Sequence, residues 1–177
     1  MMEIKPRSFI FVAFSAACAS ALSLLGGIGL EAVANKILPL VPLIIAIPGL
    51  NDLVGDYASI IAAHHGGPNE TKKTKKELFR AIFRVVGINI GFLILMSLVF
   101  ASIRGYVLEP IFIAKFVLFI TSAVVLSIFV MFALAGFLEV ILKNKRINPD
   151  ELLIPIITSL ADVLMLLLVA LSVFILF

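Results

Sequence analysis

Five apolar stretches, at about residues 8–34, 39–64, 78–103, 110–142 and 151–177, take up almost all of this 177-residue chain. A transmembrane helix needs about 20 predominantly apolar residues to cross a hydrocarbon core about 30 Å thick, and each of the five exceeds that. With 62% hydrophobic and 14% charged residues and a mean hydropathy of +1.21, the composition lies far outside that of soluble domains. The expected fold is an all-α membrane protein of five transmembrane helices, forming one domain over residues 1–177. The breaks fall at Asn35-Lys36 before Pro39, His64 to Glu77, Arg104-Gly105 before Pro110, and Lys143 to Asp150. None is long enough for a separate domain. The fourth stretch is longer than a bilayer requires, so it should tilt or project into the cytoplasm.

The first stretch follows Lys5 and Arg7, as a signal peptide would. It exceeds the usual apolar region of about 7 to 15 residues, and Gly26-Gly27-Ile28-Gly29 suits a helix contact better than a cleavage site, so it is read as a membrane helix. Its small residues Ala13, Ala17, Ala21 and Gly26 would allow close helix packing. The single cysteine, Cys18, excludes an internal disulfide and a thiolate metal cluster. With a cytoplasmic N-terminus, eleven basic residues fall inside (Lys5, Arg7, Lys72, Lys73, Lys75, Lys76, Arg80, Arg84, Lys143, Lys145, Arg146) and three outside (Lys36, Arg104, Lys115). That bias follows the positive-inside rule and puts the C-terminus outside. The net charge of +3 then reports topology, and no nucleic-acid partner is needed. Lys72 to Lys76 suits either a solvated topogenic loop or a contact with anionic lipid in the bilayer. Glu139 and Lys143, four apart, are expected to form an interfacial ion pair.

Polar residues inside the apolar stretches carry the functional argument. An Asp at the centre of a membrane helix costs about 2.5 to 3.5 kcal/mol on insertion scales, and this chain places Asp52, Asp56 and Asp162 there. In the second stretch Asn51, Asp52, Asp56 and Ser59 can line one helix face. Pro48-Gly49 just before them should break or kink that helix, freeing backbone carbonyls as further oxygen ligands. The alternative is that Asp52 and Asp56 cap a re-entrant turn. In the fifth stretch Thr158 and Asp162 are four apart with Ser159 between, after Pro155. Counted from the cytoplasmic ends, Asp162 and Asp52 lie at matching depths of roughly 16 to 18 Å. No Lys or Arg falls at that depth, Arg84 lying less than two turns into the third helix. A permeating cation is the expected counter-charge. Kinked second and fifth helices would line the pore.

The ligand set is all oxygen, which suits Mg²⁺, Ca²⁺ or Mn²⁺ and disfavours softer metals. Mg²⁺ gives up its waters reluctantly, so few carboxylates around a roomy site would fit it. The two histidines, His64 and His65, fall at the cytoplasmic end of the second helix, where a solvated interfacial pair is expected in preference to a metal site. Asn89 in the third helix could face the pore or bond to a neighbour, and the neighbour is preferred.

The second stretch, VPLIIAIPGLNDLVGDYASIIAAHH, and the fifth, NPDELLIPIITSLADVLML, resemble the signatures of the bacterial MgtE magnesium channels and their eukaryotic solute-carrier relatives. Asn148-Pro149-Asp150, Pro155 and Asp162 match the fifth-helix pattern, with Ala161 where Gly is common, and Ala58-Ser59 matches the second-helix pattern. Asn51-Asp52 stands near where that family has Gly-Asn, and Asp56 has no firm counterpart. The resemblance implies five helices with the N-terminus inside, a metal-binding role for Asp162, and a homodimer whose pore is formed by the second and fifth helices of each subunit. The eukaryotic relatives fuse two such halves. The cytosolic regulatory domains of the bacterial members have no room here, so gating is expected within the helices.

The function expected is permeation of a hydrated divalent cation, Mg²⁺ first, by a channel or a proton-coupled transporter. Asp162 would supply the central field, Asn51, Asp52 and Asp56 a second ring, and Thr158 and Ser159 would orient waters. An intramembrane hydrolase would need a nucleophile with a base, and Cys18 has no evident partner; the chain is not expected to be an enzyme. A structural or assembly subunit would explain the size but not the three aspartates.

Overall fold

A computed structural model describes residues 17, 20, 21, 24–66, 72–143 and 149–177. Residues 24–31 are helical, followed by the one-turn helix α1 (Ala34–Ile37) and four long helices: α2 (Val41–Gly66), α3 (Lys72–Ile103), α4 (Pro110–Lys143) and α5 (Pro149–Leu176). The described regular structure is all helical, and α2 to α5 are each long and apolar enough to cross a membrane. Cys18 and about half of the first apolar stretch lie outside the described residues. α4, at 34 residues, extends about 51 Å at 1.5 Å per residue, well beyond a core of about 30 Å.

The helix ends follow local chemistry. α4 and α5 begin on Pro110 and Pro149; a first-turn proline sacrifices no helical hydrogen bond and has a suitable φ. α3 ends at Gly105, whose φ of +81° favours glycine. There the Gly105 amide donates to the Ser102 carbonyl at 2.9 Å and the Tyr106 amide to Ala101 at 3.0 Å, a two-bond C-terminal closure. α3 begins at Lys72, six residues before the apolar stretch does. The polar linker is therefore partly helical, because Lys and Glu are good helix formers when solvated. The basic run belongs to the start of α3, not to a loop.

Pro48 and Pro155 both lie inside continuous helices. Of the break or kink expected in α2, the break is therefore absent, and the opportunity for a freed carbonyl shrinks to the acceptor four residues before each proline.

α2 is the central helix, touching α3, α4 and α5, and its most extensive contact is with α5. Leu43, Ala46, Leu50, Ala58, Ile61 and Ala62 are fully buried on α2. α5 answers with a stripe at four-residue spacing, Leu153, Ile157, Ala161, Met165, Val169 and Val173, as one helix face requires. The hydroxyl of Tyr57 on α2 accepts a hydrogen bond from Asn89 Nδ2 on α3 at 2.7 Å, so Asn89 bonds to a neighbour as expected. Outward residues such as Phe92, Phe100, Phe137 and Phe174 are more than half exposed, as suits a surface bathed in lipid.

One polar residue sits deeper than expected. His65 is buried, with Nδ1 2.9 Å from the Ile61 carbonyl and its ring edge-on to Phe132 at 6.0 Å, so it is not a solvated residue. The burial of His65 follows from the end of α2 packing against Phe132 of α4. Glu139 is also buried; the side chain of Lys143, its expected partner, lies outside the described residues.

The helical residues 24–31 cross α5 closely. A Cβ placed on Gly26 would lie 2.8 Å from Leu166 Cδ1, 3.2 Å from Leu166 Cβ and 3.3 Å from Val163 Cα. The last of these is backbone and can move only with the helix. Gly26→Val is expected to destabilise the protein by about 1 to 3 kcal/mol, measured as a lower thermal midpoint in detergent; an unchanged midpoint would show that this crossing is not tight. Ala17 and Ala21 of the small-residue stripe are exposed, whereas Gly26 is buried within the chain.

Candidate functional site

The antiparallel packing of α2 on α5 brings two of the expected residues together. Asn51 Nδ2 donates to Asp162 Oδ1 at 3.0 Å, joining positions 111 residues apart. A hydrogen bond to a charged group contributes about 1.5 to 3 kcal/mol. One turn along α2, Gly55 presents bare backbone to the same carboxylate: a Cβ there would stand 3.7 Å from Asp162 Oδ1. A methyl group would fit at van der Waals distance, but a longer side chain would occupy the space beside the carboxylate. Gly55 escaped the sequence reasoning, since a missing side chain carries no chemical signal.

Asn51 also has an orphaned acceptor. With its amide nitrogen turned to Asp162, its Oδ1 is buried and has no hydrogen-bond partner among the described residues. Leaving a buried acceptor unpaired costs about 1 to 3 kcal/mol. A carboxylate and an adjacent amide oxygen on facing helices are the donor set that hard cations and their waters take.

The other expected site residues are placed differently. Asp52 and Asp56 are exposed, on a face of α2 that also carries exposed Ile44 and Ile60. They do not join Asn51 around Asp162 within one chain. Thr158 is half-buried, and its hydroxyl lies 2.8 Å from the Ile154 carbonyl and 3.1 Å from that of Pro155. Ser159 is buried and donates to the Ile156 carbonyl at 3.0 Å. Ser59 donates to the Gly55 carbonyl at 3.0 Å. These three hydroxyls are held by their own helices, a common arrangement for Ser and Thr in apolar surroundings.

Among the described residues, no three His, Cys, Asp or Glu side chains are placed to hold a metal ion together.

Residues 41–172 match the family described as MgtE, divalent cation transporter. Comparison with curated proteins and with solved structures gives no match. The matched span runs from the start of α2 almost to the end of α5, and so includes both helices that build the Asn51–Asp162 contact. It covers most of a chain whose long helices are those of a multi-pass membrane protein, and its family moves ions and is not one of enzymes. The chain therefore belongs to the MgtE family of divalent cation transporters.

Proposed function

We propose that this protein carries Mg²⁺ across the membrane along a pathway bordered by α2 and α5, with Asp162 and Asn51 at its centre. The observation that carries the proposal is the Asn51–Asp162 contact, which places a carboxylate and an unpaired amide oxygen side by side inside the apolar bundle. The ion keeps most of its hydration and is held weakly enough to leave.

The proposal includes a homodimer. Asp52 and Asp56 are exposed on one chain, and ionised carboxylates facing lipid are costly. Two copies with these faces turned toward each other would give the carboxylates a shared aqueous path. Thr158 and Ser159 remain in this scheme as water-orienting groups through their oxygen lone pairs, since their protons are committed to α5 carbonyls. The topology proposed has five spans, the N-terminus in the cytoplasm and the C-terminus outside.

Ion flux into proteoliposomes tests the proposal, with Mg²⁺, Ca²⁺ and Mn²⁺ compared. Saturable Mg²⁺ flux is expected. A chain inert to every ion would favour the structural or assembly role instead.

Asp52 and Asp56 make a separate prediction. A cleft lined by charges of one sign raises local counter-ion concentration and entry rates by about 10-fold or more. Replacing both with Asn is expected to lower Mg²⁺ flux about 10-fold at low ionic strength. The deficit should shrink at high salt, where the Debye length falls to about 3 Å at 1 M. Equal flux in the double variant and the wild type at low salt would remove this face from the pathway.

A further inference from the structure

A groove of about 380 Å³ runs along the outside of the bundle between α4 and α5, away from the Asn51–Asp162 contact. Its walls include Leu118, Ser122 and Leu126 of α4 and Leu168, Leu171 and Ile175 of α5. The size falls in the range of about 300 to 1,000 Å³ typical of small-molecule sites. Its chemistry is apolar throughout, because the two hydroxyls that line it are already committed: Ser122 donates to the Phe119 carbonyl at 3.0 Å and Ser172 to Val169 at 2.7 Å. Both walls belong to segments apolar enough to span the membrane. Leu118, Leu126, Leu171 and Ile175 are each about half exposed or more, so the groove opens on the surroundings of the bundle, which in a bilayer are acyl chains.

One end of the groove carries a fixed positive charge. Lys115 lies three residues before Leu118 and four before Phe119, so it continues the same face of α4. Its Nζ donates to the Leu176 carbonyl at 2.6 Å, and Leu176 itself lines the groove. The ammonium also sits 5.8 Å from the centre of the Phe177 ring. The bond to Leu176 ties Lys115 to the α5 wall of the groove. An ammonium has three donors, and this bond uses one. Lys115 is exposed and makes no ion pair with a carboxylate among the described residues.

We propose that this groove is a binding site for an anionic phospholipid, with one acyl chain between α4 and α5 and the headgroup phosphate on Lys115. A chain leaving bulk lipid for an apolar groove gains little hydrophobic free energy, because lipid tails are as apolar as the leucines around it. Retention therefore depends on packing and on the charge at the mouth, and the site discriminates by headgroup. The occupant is a lipid and not a second copy of the chain, because the groove ends in a cation, Lys115, near the Pro110 start of α4, as a headgroup requires.

The test is native mass spectrometry of the full chain released from nanodiscs of equimolar dioleoyl phosphatidylglycerol and dioleoyl phosphatidylcholine. The wild type is expected to retain one phosphatidylglycerol per chain, preferred about fivefold, the factor equivalent to about 1 kcal/mol for one Lys at an anionic surface. Lys115→Gln should retain the two lipids equally. Ser122→Phe should retain neither, and alkylation of Ser122→Cys after reconstitution, in a Cys18→Ala background, should do the same in a chain already folded. Three outcomes would overturn the proposal: no lipid retained by the wild type, retention untouched by both the Lys115 and the Ser122 changes, or displacement of the lipid by millimolar glycerol phosphate, which would mark a simple anion site. Efficient cross-linking of Ser122→Cys between two copies would also overturn it, by showing that another subunit covers the groove.

Discussion

Replacing Asp162 with Asn should abolish Mg²⁺ flux while leaving the protein at least as stable as the wild type. The two side chains have nearly the same shape, and the substituted amide can still accept the hydrogen bond that Asn51 Nδ2 donates at 3.0 Å. What disappears is the negative charge. Unit charges 4 Å apart attract by about 4 kcal/mol at an effective dielectric near 20, and a divalent ion separated from the carboxylate by a layer of water is held by a comparable amount. A loss of at least about 100-fold in flux follows, since each 1.4 kcal/mol is tenfold. Stability should move the other way, because an ionised Asp at a membrane-helix centre costs about 2.5 to 3.5 kcal/mol to insert. Proteoliposome flux and thermal melting of the same preparation read the two effects together. Lost flux with a retained or higher melting point marks Asp162 as a transport residue. If flux survives in the folded variant, the pathway does not pass Asp162; if the fold collapses, the carboxylate serves α2–α5 packing.

Asn51→Leu should weaken the interaction with the ion while leaving the fold nearly unchanged. Leucine is similar in size but supplies neither the donor to Asp162 nor the amide oxygen. Loss of the donor removes a charge-assisted hydrogen bond of about 1.5 to 3 kcal/mol. The orphaned Oδ1, itself a burden of about 1 to 3 kcal/mol, disappears with it, so the two contributions to stability largely offset. For the ion they add: the carboxylate loses the contact that orients it, and the neighbouring oxygen ligand is gone. The Mg²⁺ concentration giving half-maximal flux should rise about tenfold or more, with a smaller change in maximal flux. Unchanged half-saturation would show that Asn51 only holds the helices together. The contrast with Asp162→Asn separates positioning from charge.

The membrane architecture was legible because hydropathy is a property of segments. α2, α4 and α5 lie within a few residues of the apolar stretches, and prolines 110 and 149 mark two helix starts. α3 was the exception: its first residues, including Lys72 to Lys76, are polar, and hydropathy sees only the part of a helix that meets lipid. Of the break or kink expected at Pro48, the helix shows no break, since a single proline removes one amide donor and the packed helix on either side carries the backbone through. His65 was placed at the surface by its chemistry and buried by packing that no local pattern records.

At the site, the sequence by itself determined which side chains are costly in lipid, and so singled out Asp52, Asp56 and Asp162. Only the tertiary structure decided the company each keeps. Neighbouring residues on a helix point about 100° apart, so Asn51 and Asp52 cannot both meet α5. The packing of α2 turns Asn51 toward Asp162 and leaves Asp52 and Asp56 on an exposed face. It also lays the carboxylate over Gly55. Burial cost belongs to the residue type and can be read one position at a time, whereas a partner 111 residues away exists only once two helices have chosen the faces on which they touch.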